Sequence, residues 1–183
     1  MRAHQVVAVA LPRECGIAAW SDDADLADAF AIELDPADAA KGVDHLARCV
    51  MDDPPLWLRT LLRMRDTFVA VFGIKTSAQL RLRAAAEGAA HIDFFRVHSR
   101  SQSEVIVGED DRHLDFRASI MIRDGRNGRA ELVATTVVHC HNVLGRTYLA
   151  VIAPFHRFIV QANLRRASES KWKLSAPTIA PHA

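Results

Sequence analysis

The stretch "EDDRHLDFRASIMIRDGRNG", Glu109 to Gly128, decides the fold. Leu114, Phe116, Ala118, Ile120 and Ile122 are apolar, and the residues between them, His113, Asp115, Arg117 and Ser119, are polar. A period of two is the signature of a strand with two unlike faces. The dipeptides Asp124-Gly125 and Asn127-Gly128 then supply turn chemistry between two long strands. "RAELVATTVVHCHN", Arg129 to Asn142, is the return strand. Upstream, "IDFFRVHS" and "SEVIVG" repeat the pattern, with a tight acidic turn around Glu109 and Asp110. The result is a meander of four antiparallel strands. A further strand in "ADAFAIELD", Ala27 to Asp35, with Phe30 and Ile32 alternating, joins one edge.

Between that strand and the meander the period becomes helical. "PADAAKGVDHLARCVMDD" reads as one helix with Pro36 in its first turn. "PPLWLRTLLRMRDTFVAVFGI" reads as a second, with Gly73 at its C-terminal cap. Residues 75–91 suggest a short helix ended by Gly88, and the first 25 residues carry no clear pattern. The last element, from Asn142 as N-cap, is a long helix through "NVLGRTYLAVIAPFHRFIVQANLRRA". Its apolar stripe reads as Leu144, Tyr148, Val151, Ile152, Phe155, Ile159 and Ala162. Leu149, Phe158 and Val160 widen that stripe, so the helix is expected to be covered on most sides. Pro154 inside it removes a backbone hydrogen bond and is expected to kink it. The tail from Ser168 reads as polar and frayed. The fold class is therefore α+β, a curved antiparallel sheet wrapped around a long C-terminal helix. A single domain over 1–183 with its core at about 26–167 is expected.

The chain carries 23 basic and 22 acidic residues, a formal net charge of +1. That balance gives no reason to expect nucleic acid or an anionic membrane as partner. No uninterrupted apolar run approaches the roughly 20 residues of a membrane helix. Cys15, Cys49 and Cys140 are odd in number and lie far apart, against a disulfide framework or a zinc-thiolate site. Reduced thiols and a cytoplasmic location are expected.

The order strand, two helices, meander, long terminal helix resembles the helix-grip architecture of START-like and polyketide-cyclase-like proteins. In those folds the space between sheet and helix often holds a small apolar ligand. More narrowly, "GEDDRHLDFRASI", "NVLGRTYLAVIAPFHRFIV" and "PPLWLRTLLRMRDTF" are similar to a family of bacterial proteins catalogued as a domain of unknown function. "HLDFR" and "GRxYLxxIxPFH" are its most specific pieces, and the resemblance runs from about Pro54 to Arg166. It implies a fold and no reaction, cofactor or substrate.

Three readings of function follow. The first is a small apolar molecule held between sheet and helix, with Phe116, Arg117, Tyr148, Phe155 and His156 as contacts. The second is a cyclase, dehydratase or isomerase whose sheet residues His113, Asp115 and His139 act as acid and base. Arg96, His98, Glu131, Thr135 and His141 would share their face if the strands align. The bland alternative makes that face the wet side of the sheet. The third is a partner-binding domain, such as a homodimer formed through a sheet face. "HCH" at 139–141 aims two histidines one way, one ligand short of a zinc site, and no metal is expected. Alternation sends Cys140 to the opposite face, so a Cys-His nucleophile is not expected. No phosphate-binding loop, nucleophile elbow or dinucleotide fingerprint is present, and no cofactor is expected.

Overall fold

The computed structural model describes residues 5–51, 91–92, 95–125 and 128–174. The second helix expected at 54–74 and most of the 75–91 segment lie outside these residues. The elements are β1 (Val7–Ala8), a 3-10 turn (Ala19–Ser21), β2 (Leu26–Glu33), α1 (Pro36–Ala39) and α2 (Val43–Met51). After them come β3 (His91–Ile92), β4 (Phe95–Arg100), β5 (Glu104–Asp110), β6 (Leu114–Asp124), β7 (Ala130–Cys140) and α3 (Val143–Glu169). The strands form one curved, fully antiparallel seven-stranded sheet in the order β1-β2-β7-β6-β5-β4-β3. The meander and its edge partner are as read, with two-residue strands added at each end.

Register sorts the side chains. β6 pairs with β7 from Leu114↔Cys140 to Asp124↔Ala130, and β7 pairs with β2 from Val138↔Leu26 to Glu131↔Glu33. Phe30, Ile32, Val105, Val107, Ile120, Leu132 and Ala134 therefore project to one side. There they form the main core with Val43, Leu46, Ala47 and Val50 of α2 and Leu164 and Ala167 of α3. The opposite side is not simply wet. Residues 11–24 fold across it as a strap, and Leu11, Cys15, Ile17 and Trp20 pack on Ile106, Met121 and Val137. Residues 11–24, unreadable as a pattern in the sequence, are this second cover.

Several boundaries differ from the sequence reading. The helix expected over 36–53 breaks into α1 and α2 at Gly42, whose φ of 82° only glycine adopts freely. The turn into β6 lies at 111–113 rather than at Glu109 and Asp110, which still pair with Phe116 and Asp115. A bulge at His98 lets Val97 face Val107 and Ser99 face Ile106, so alternation slips there.

The α3 stripe is also displaced. Leu149, Ala153, Val160, Leu164 and Ala167 pack on the sheet or on α2. Val151 is 61% exposed and Phe155 50%. Val143, Val151, Phe155 and Phe158 lie on the outer ridge, which is why apolar spacing pointed to it. By length and composition α3 could cross a membrane, which a count of unbroken apolar runs does not show. It runs unbroken through Pro154, which is exposed, so the carbonyl it leaves unpaired at Ala150 meets water.

The N-cap is as expected: Asn142 Oδ1 accepts from the Gly145 amide at 3.0 Å. The far end is anchored instead of frayed. Trp172 is 2% exposed, inside the main core. Its amide donates to the Ala167 carbonyl at 2.8 Å, its own carbonyl meets His45 Nε2 at 2.7 Å, and Lys171 and Trp172 take left-handed φ values of 54° and 52°. Residues 175–183 lie outside the described part. A two-residue left-handed turn persists only where packing over-determines it, and the buried indole does so here. Trp172→Ala is expected to cost about 3–5 kcal/mol in urea unfolding, with α3 losing its hold on α2; a loss under about 1 kcal/mol would contradict this anchoring role.

Candidate functional site

The two sides of the sheet hold different chemistry. On the strap side, Glu104 at the start of β5 is a peg. Its carboxylate accepts from the Cys15 thiol at 3.1 Å, from the Gly16 amide at 3.1 Å and from the Ser119 hydroxyl at 2.5 Å. Beside it, Trp20 packs edge-on against His139, with ring centroids 4.7 Å apart, and its carbonyl accepts from His139 Nε2 at 2.7 Å. The Arg117 guanidinium lies 4.9 Å over the Trp20 ring and pairs with Asp110 at 2.6 Å. Asp115 pairs with His141 at 3.0 Å and accepts from the Asp111 amide at 3.0 Å. Burial, followed by the charge of Arg117, holds the His98 imidazole below its usual range.

Each of these groups is spent on a neighbour. His113 is the clearest case. It is buried, and its Nδ1 takes a hydrogen bond from Asn142 Nδ2 at 3.1 Å while Asn142 Oδ1 caps α3. A β-carbon on Gly145 would overlap the His113 carbonyl oxygen, so His113 supports the helix start. His113, Asp115 and His139 thus do not line a common space with α3, and neither does Arg117. His139 and His141 share a face with Asp115, yet among the described residues no group of three metal-binding side chains forms. Burial raises the Cys15 thiol, and burial with the Asp25 carboxylate beside it pushes Cys140 up to about 11.

The helix side differs. β6 is the middle strand of seven. Its helix-facing Leu114, Phe116 and Ala118 are nonetheless only half-buried, although Thr136 and Val107 on either side of Ala118 are buried. Phe116 meets Phe95 edge to face at 5.5 Å, and packs near Leu149 and Ala153 of α3. Tyr148 is half-buried next to Leu149, while Phe155 points outward. In the row of Ala118 and Thr136 stands Asp28 of β2. Its Oδ1 lies 3.5 Å from His156 Nε2, and its Oδ2 accepts from Arg157 Nε at 3.3 Å. Both Oδ1 and Nε2 are sealed from water and make no hydrogen bond. Of the expected contacts, Phe116, Tyr148 and His156 lie on the helix side of the sheet. Asp28 was missed, although it shares the inward parity of Phe30 and Ile32.

Residues 20–163 match the family described as "Protein of unknown function (DUF2867)". The chain belongs to this family. The DUF2867 match spans β2 through most of α3, and so includes Asp28, Phe116, Ala118 and His156. It begins after Cys15 and Gly16, leaving the strap's contacts to Glu104 outside. Neither curated proteins nor solved structures gave a match.

A groove of about 630 Å³ lies beside β1. Its charged walls pair internally, Arg123 with Glu131 at 2.6 Å and Arg129 with Glu33 at 3.4 Å, which leaves little to attract a ligand.

Two outcomes are expected. In the native protein Cys140 reacts with a thiol reagent at neutral pH at least about a hundredfold more slowly than after denaturation, given two units between 9.0 and about 11; equal rates by mass spectrometry would refute the buried-thiol assignment. Asp25 is held below its ordinary range, chiefly because its carboxylate accepts from the Cys140 amide, with Arg146 adding to this. A depressed folded-state value contributes stability above the unfolded value and loses it as pH falls. Asp25→Asn should therefore flatten the fall in stability below about pH 4, and an unchanged acid limb would refute it.

Proposed function

We propose that the protein binds a small apolar molecule in the space between the middle of the sheet and α3. One observation carries this reading. Phe116 and Ala118 sit on the central strand beneath a 27-residue helix and still keep accessible surface. A domain of this size ordinarily closes such a position with side chains at near-crystalline density. The α3 residue packed in the same cluster as Phe116 is small, Ala153, and His156 stands two strands away over Asp28. Concave, mostly apolar space with a few fixed polar groups is the usual form of a small-molecule site. The similarity in element order to helix-grip proteins supports the same reading.

The sheet polar groups do not favour the acid–base alternative, since His113, Asp115 and His139 are engaged with Asn142, His141 and Trp20. The binding reading also accounts for small residues in a row, Ala118 and Thr136, where bulk would fill the sheet.

Naphthalene added to the ¹⁵N-labelled protein should shift the amide resonances of Phe116, Ala118 and Ala153 and leave those of the strap in place. Ala118→Trp, which fills the space, should abolish the shifts without lowering stability by more than about 1–3 kcal/mol. Shifts absent from these three residues, or surviving in Ala118→Trp, would sink the reading.

A further inference from the structure

Asp28 is the one carboxylate on the helix-facing row formed with Thr136 and Ala118. Its contact with His156 has a definite polarity. Oδ1 and Nε2 face each other at 3.5 Å with no water able to reach either. A dry carboxylate oxygen opposite a dry ring lone pair would set two acceptors against each other, unpaired, in low dielectric. The proton of a neutral His156 therefore sits on Nε2, toward Asp28. The other nitrogen is different: among the described residues Nδ1 has no protein partner, and it is not sealed from solvent. It is left as a lone-pair acceptor. Arg157 holds the second carboxylate oxygen, so Asp28 cannot turn away from this role.

Position matters as much as polarity. Ala118 and Asp28 are two strands apart in one row, about 10 Å at the usual strand spacing. A two-ring molecule seated over Ala118 has its far edge under His156. We infer that the ligand carries a hydroxyl at that edge which donates to Nδ1 of His156: an apolar alcohol or phenol, in preference to an ether or a carboxylate. Asp28 is then a positioning residue that fixes the tautomer, and its negative charge disfavours an anionic ligand nearby. This inference rests on the binding reading above.

The test compares 1-naphthol with 1-methoxynaphthalene, equal in ring shape but without the donor, by calorimetry at pH 8. The wild-type protein should bind 1-naphthol about tenfold more tightly, the yield of one good hydrogen bond. In His156→Phe the preference should vanish while the ether still binds. Asp28→Asn gives a sharper readout. Arg157 pins the amide oxygen, so the amide nitrogen faces Nε2, drives the proton to Nδ1 and turns that atom into a donor. The preference should then vanish or reverse, with an unchanged circular dichroism spectrum. Equal wild-type affinities would overturn the hydroxyl inference and leave the binding site standing. Failure of both compounds to bind would overturn both. A preference that survives in folded Asp28→Asn would overturn the role of Asp28.

Discussion

Everything in this protein hangs on the pairing of β6 with β7 over eleven residues each. Both strands are long, both lie inside the sheet, and both are covered on two sides. A slip of one residue would turn Ile120 and Phe116 toward the strap and push Arg117 and Ser119 under the helix. The penalty would be unpaired polar groups in two interiors at once, which no other element could relieve. At the end of the ladder the Gly125 amide donates to the Arg129 carbonyl at 2.7 Å, which holds the two strands in the correct frame.

Given that frame, α3 is held at its ends. At one end Gly145 touches the His113 backbone and Asn142 joins the cap to the His113 ring. At the other, Leu164, Ala167 and Trp172 lock into the main core with α2. The middle of the helix bears on the sheet through Ala153 and the Asp28–His156–Arg157 cluster. A rigid rod supported at both ends need not settle onto what lies between, and this explains how half-buried apolar surface persists at the centre of the sheet.

The meander was legible because β6 and β7 alternate cleanly and the segment between them carries strong turn dipeptides, Asp-Gly and Asn-Gly. The N-cap was legible for the same local reason. What failed was anything set by distance in space. The α3 stripe was placed on Val151 and Phe155, which face outward, whereas Leu149, Ala153, Leu164 and Ala167 face inward. The polar row of β6 reads as a catalytic row or a wet face, and nothing local in it announces that Trp20 and Cys15, some hundred residues away, pack beside Arg117 and Ser119. Asp28 could have been found: a carboxylate at the inward parity of "ADAFAIELD" is an anomaly that asks for a cation, and Arg157 supplies one, with the His156 ring beside it.

The strap has a consequence for the order in which the molecule comes together. Its ties span 89 residues from Cys15 to Glu104 and 119 from Trp20 to His139. Closing loops of that length is slow and yields nothing until both anchoring strands exist. During synthesis the strap is made before β5, β6 and β7 and must wait, undocked, for them. Until it closes, Ile106, Met121 and Val137 form a bare apolar band on an otherwise finished sheet. The emerging chain is thus most prone to association in that interval, and the Glu104 peg marks its end.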